Sequence, residues 1–163
     1  MNAIEHLFAP WSELYSNHTI VAMIVMTMHL LALLVGGGFA VSADHATLRA
    51  RREDGGEQLR QLDRLARTHT IVVAALAISF VSGLLLAAAD IGVFTASPLF
   101  WIKLGVVGVL LINGGVLRNV ETKLRVRGPT ERLWRRLALV SRMSMVLWVA
   151  AVVIGVALTD FAG

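Results

Sequence analysis

Three histidines, one lysine and one arginine carry whatever chemistry this chain can do, because it has no cysteine and its apolar stretches leave few other polar side chains. With no thiol, iron-sulfur clusters, thiolate metal sites and disulfides are excluded, so a bound metal must use imidazole, thioether, amine or carboxylate. His29 stands deep inside an apolar run, eleven residues after His18, or about 16 Å along a straight helix. An imidazole there is either hydrogen-bonded to a carbonyl or hydroxyl of another helix, or it ligates a cofactor or moves a proton. Lys103 follows the start of another apolar run. Its stem can lift the ammonium to the headgroups, or its charge can turn inward toward His29 and receive a propionate or another carboxylate.

His45 and His69 form a second pair, one closing an apolar stretch and the other opening the next. Antiparallel neighbours could bring their rings to a haem iron, while histidines at an interface commonly face water. Arg142 could neutralise a propionate or pair with Asp44. Met23, Met26 and Met28 precede His29, and thioethers beside an imidazole suit Cu(I), although such methionines more often serve as packing.

The elements that must position these groups are membrane helices. Of the 163 residues, 56% are hydrophobic and 16% charged, which makes the bilayer the expected solvent. Four stretches, 17–42, 69–89, 98–117 and 137–158, are each near the ~20 residues a helix needs to cross hydrocarbon. The expected fold is all-α: a polytopic membrane protein with a four-transmembrane-helix bundle in a single membrane domain.

Apart from Lys103 and Arg142, every Lys and Arg lies in the two connecting segments 43–68 and 118–136, whereas Glu5, Glu13, Asp90 and Asp160 flank the opposite side. This asymmetry puts both segments on the cytoplasmic side and both termini outside. It also accounts for the net charge of +4 without nucleic acid. Met1 to His18 has no Lys or Arg, so the first stretch is not a cleaved signal and is expected to be retained. Phe8, Trp11, Tyr15 and Trp101 are expected at the outer headgroups.

Within the connecting segments, Asp54-Gly55-Gly56 and Gly128-Pro129 are breaks. Leu59, Leu62 and Leu65 recur among arginines as on an amphipathic helix lying on the inner leaflet, and Leu133, Trp134 and Leu137 share a face. Offsetting the halves by 75–77 residues pairs Gly37-Gly38 with Gly114-Gly115 and Leu48-Arg49-x-Arg51 with Leu124-Arg125-x-Arg127. The pattern fits a tandem duplication of a helical hairpin, and it places Lys103 two residues from the level of His29. The glycines let helices, or a flat cofactor, approach closely.

His29-Leu-Leu-Ala-Leu-Leu-Val-Gly36-Gly-Gly and Ser97-Pro-Leu-Phe-Trp101-Ile-Lys103-Leu resemble the membrane-bound bacterial protoporphyrinogen oxidases and the copper-resistance D-like membrane proteins. The resemblance implies haem or porphyrin chemistry at His29 and Lys103. At the exit of the first helix, Phe39-Ala-Val-Ser-Ala-Asp44-His45 departs from the oxidase pattern. The expectation is therefore a haem b-binding redox protein for electron transfer or oxidation of a lipophilic or porphyrin-like substrate. Its cofactor-holding residues would be His29, Lys103, His45, His69 and Arg142, with His29, His45 and His69 as metal ligands. A copper-handling protein and a structural subunit of a larger membrane complex are the alternatives, and the bundle could also be a homo-oligomer.

Overall fold

A computed structural model describes residues 3–53, 55–128 and 130–161, with side chains from residue 6 to residue 158. Asp54 and Pro129 of the two predicted breaks, and the side chains of Glu5 and Asp160, lie outside the described residues. Six helices and no strand occur among the described residues: α1 (Ala3–Asn17), α2 (Thr19–Ala50), α3 (Gly55–Ala89), α4 (Ile91–Ala96), α5 (Pro98–Arg127) and α6 (Glu131–Phe161). Four of them, α2, α3, α5 and α6, are long and apolar enough to cross a membrane, as the hydropathy of the four stretches requires. The chain is a multi-pass membrane protein.

These helices are longer than the apolar stretches that announce them. At 32, 35, 30 and 31 residues they reach about 45–53 Å, against roughly 30 Å of hydrocarbon. The segments 43–68 and 118–136 are therefore not long loops, since helix runs through most of each and, among the described residues, only 51–53, 128 and 130 lie outside it. No Pro or Gly interrupts 43–53, 57–68 or 118–127, and a change from apolar to charged residues ends contact with lipid without ending a helix. The amphipathic piece with Leu62 and Leu65 runs into the second membrane helix, as the sequence suggests, but as part of one helix with it and not as a piece laid along a leaflet. It continues α3 and packs those two side chains with Leu117, Val120 and Leu124 of α5 and Trp134 and Leu137 of α6.

The two hairpins α2–α3 and α5–α6 are the most closely packed pairs, and α2 joins them by also packing on α6. One stripe of α2, Val25, His29, Ala32, Gly36, Ala40, Asp44, Thr47 and Ala50, is buried along the whole helix, the i, i+3/i+4 spacing of a single face. The fourth possible contact, α3 against α5, is made mainly at the arginine-rich end, where Arg125 donates to Asp63 at 2.8 Å and to the Leu62 carbonyl. Elsewhere these two helices stand apart, and the bundle is open along that side. Consistent with this, 11% of the most apolar part of α5 is buried against 39% for α6.

At the other end α1 docks on the last turn of α3, where Trp11 Nε1 donates to the Leu85 carbonyl at 2.8 Å and Ser12 Oγ to the Ala89 carbonyl at 2.7 Å. The second bond satisfies a carbonyl that the helix terminus leaves without an internal partner, and the first adds a donor to a carbonyl one residue before the last four.

Candidate functional site

The interior polar groups fall into two layers with a tryptophan between them. In the layer nearer α1, His29 is 8% exposed and its Nδ1 lies 3.0 Å from both the Ser79 carbonyl oxygen and Ser82 Oγ on α3. A carbonyl only accepts, and the Ser82 hydroxyl donates to the Ile78 carbonyl at 2.7 Å. The network therefore assigns the proton to Nδ1, which donates to both oxygens. Nε2 then carries the lone pair. Gly83 makes the ring's fit possible, since a Cβ there would stand 3.1 Å from His29 Cε1.

Lys103 reaches the same layer from α5. Its Nζ lies where a Cβ on Gly155 of α6 would be 3.2 Å away, and the pairing of Gly36 and Gly37 with Trp148 puts Gly155 about level with His29 on the antiparallel helix. The ammonium is within electrostatic reach of the imidazole, and no carboxylate among the described residues pairs with it. The structure thus brings His29 and Lys103 to one depth from different helices.

Below them Trp148, 3% exposed, lays its ring on two glycines. A Cβ at Gly36 would meet Trp148 Cη2 at 3.2 Å and Ala75 Cβ at 2.9 Å, and one at Gly37 would meet Trp148 Cε3 at 3.2 Å. Only residues without side chains allow α2 and α6 this approach.

Beyond the tryptophan, toward the arginine-rich end, lies a cavity of about 120 Å³, or about 660 Å³ counted out to its open side between α3 and α5. Asp44, Ser144 and Trp148 form its back, His69, Val72 and Val73 one wall, and Gly114 and Gly115 the other. A Cβ on either glycine would meet nothing within 4 Å. Asp44 is 2% exposed. Ser144 donates to its carboxylate, and the Ser141 hydroxyl lies beside it without a hydrogen bond of ordinary geometry to it or to any other group.

The remaining expected site residues are dispersed. His45 is exposed, one position round the helix from Asp44, while His69 is half-buried in the cavity wall. Gln61 of α3 hydrogen-bonds back to Ala43 and Thr47, which places His69 well over a turn deeper than His45. The structure does not bring that pair together. Arg142 is exposed and is not paired with Asp44. Met23, Met26 and Met28 are 63%, 38% and 49% exposed, and none of them is buried with His29. Among the described residues no three His, Asp or Glu side chains cluster as metal ligands.

Sequence reasoning treated Asp44 only as a partner for Arg142 and passed over Trp148, Ser141 and Ser144. Asp44-x-x-Thr47 and Ser141-x-x-Ser144 were the available signals, each a polar pair on one face of a helix that continues past its apolar stretch.

Comparison of the chain with known protein families, with curated proteins and with solved structures finds no match. The functional reading therefore rests on the geometry and on the residues themselves.

Proposed function

We propose that the protein is a haem b-binding redox protein of the bacterial inner membrane, serving electron transfer or the oxidation of a lipophilic or porphyrin-like substrate. In this reading its arginine-rich end is cytoplasmic and both termini are periplasmic, as the charge asymmetry favours. The observation that carries it is the state of His29: Nδ1 donates to the Ser79 carbonyl and Ser82 Oγ, which leaves Nε2 as an electron-pair donor. That arrangement fixes tautomer and ring angle, as partners of metal-bound histidines commonly do. The donor set fits the cofactor, with imidazole for iron and the unpaired Lys103 ammonium for a propionate.

Haem would supply one-electron chemistry. This chain's residues supply the rest: Ser79 and Ser82 hold the imidazole, Gly83 gives it room, and Lys103 offers a positive charge at the same depth. His69 is the second candidate ligand; His45, exposed and at another level, is not its partner.

The test is the oxidised and reduced absorption spectrum of the purified protein, expressed with adequate haem supply, beside His29→Ala and His69→Ala. A Soret band and reduced α-band that weaken in His29→Ala are expected. A band lost only in His69→Ala would move the ligand to the cavity, and a colourless, folded protein would overturn the reading.

A further inference from the structure

The cavity beneath Trp148 enters the haem reading only through His69 in its wall, yet at its back it holds a strongly polar group that no charge among the described residues balances. Asp44 is buried at its back, and no Lys, Arg or His among the described residues pairs with it. A carboxylate withdrawn from water needs a counter-charge or a full set of donors. The Ser144 and Ser141 hydroxyls both lie beside it, Ser141 without ordinary hydrogen-bond geometry, and neither carries a charge. The site is short of a donor, and most of all of a positive one.

The surroundings define what that donor is attached to. Trp148 presents an aromatic ring, a surface that attracts cations. Val72, Val73, Leu76, Leu110 and Leu111 make the rest largely apolar. At the arginine-rich end the packed layer of Leu62, Leu124 and Leu137 closes the bundle, and at the other end Trp148 does so. The remaining opening is sideways between α3 and α5, where in a bilayer hydrocarbon chains would lie. An occupant therefore comes from the membrane. The enclosed volume is below the ~300 Å³ at which ordinary ligand pockets begin, so it admits a head group whose tail stays in the opening.

We propose that this cavity binds the ammonium head of a lipophilic amine taken up sideways from the bilayer, with Asp44 as counter-charge, Trp148 as aromatic wall and the bare Gly114-Gly115 surface as the slot for the chain. The ammonium donates to Asp44 and to the oxygen of Ser144, the hydroxyl that lines the cavity beside it. An anionic head is repelled by Asp44, and a neutral chain leaves the carboxylate unpaired. A metal ion lacks both the ligand cluster and an aqueous route.

The test uses the full chain in nanodiscs of zwitterionic lipid and an alkylammonium probe carrying a nitroxide on its chain, followed by electron paramagnetic resonance. A motionally restricted component is expected that saturates at about one probe per chain, and it should weaken by at least about tenfold in Asp44→Asn. Val73→Trp, which fills the cavity without touching the carboxylate, should abolish it and serves as the second variant if Asp44→Asn does not fold. The same chain with a sulfonate head should give only the boundary-lipid component. Equal binding of both heads, the absence of a saturable component, or wild-type binding in both variants would overturn the proposal. His29→Ala is expected to leave probe binding unchanged, so the haem reading and this one fail separately.

Discussion

Gly36-Gly37 on α2 and Gly114-Gly115 on α5 are glycine pairs that overlap at Gly37 and Gly114 when the halves are offset by 77, but they meet different surroundings. The first pair is covered by Trp148 of α6, tightly enough that added methyl groups would collide. The second pair faces α3, where the offset of 77 residues puts Ile71 opposite the role of Trp148, and nothing lies within 4 Å of either position. One interface is filled and its counterpart is empty. The cavity, the open side of the bundle and the exposure of Asp44 to a ligand all follow from the absence of a large side chain on α3. The space for a ligand comes from a glycine surface on α5 that no side chain fills, where that on α2 is covered.

The comparison breaks most severely at Trp148. Trp148→Ala should remove the filler of the closed interface and join the two polar layers, at a cost of about 3–5 kcal/mol by analogy with large-to-small core changes, read as a drop in the unfolding midpoint in mixed micelles. Next comes a matched pair of glycine substitutions. Gly36→Ala should destabilise by about 1–3 kcal/mol because its Cβ would sit 2.9 Å from that of Ala75, whereas Gly114→Ala should stay within about 0.5 kcal/mol of wild type. Equal effects at the two glycines would show that the interfaces do not differ as described.

A similarly small change in stability is expected for Asp63→Asn, which releases the exposed tie from Arg125 across the mouth of the open side and should cost about 0–1 kcal/mol. Its effect should appear instead as a broader distance distribution between spin labels on α3 and α5.

The membrane helices were legible because hydropathy over ~20 residues is a bulk property that needs no knowledge of neighbours. The shared depth of His29 and Lys103 was also within reach, through the register of the glycine and arginine repeats. The lengths of the helices were not, because charge at 43–68 and 118–136 reports where lipid ends and not where backbone hydrogen bonding does. That misreading hid Asp44. Placed at a helix exit it is an ordinary polar residue, and placed two turns before the end of a continuing helix, opposite Ser141 and Ser144, it is a buried carboxylate. Trp148 was invisible for a related reason, since its partners are glycines more than a hundred residues away and glycine leaves no chemical mark to match.

Trp148 and the packed layer of Leu62, Leu124 and Leu137 close the bundle at two levels, so neither end offers an open path to Asp44. A transmembrane voltage then falls gradually along the bundle instead of over one thin layer. A charge moved through the full field gains or loses about 2.3 kcal/mol per 100 mV. A charged head that enters sideways from the leaflet nearer the arginine-rich end crosses only the part of this drop between the surface of that leaflet and Asp44, so its occupancy should respond to its concentration in the lipid more than to the energised state of the membrane.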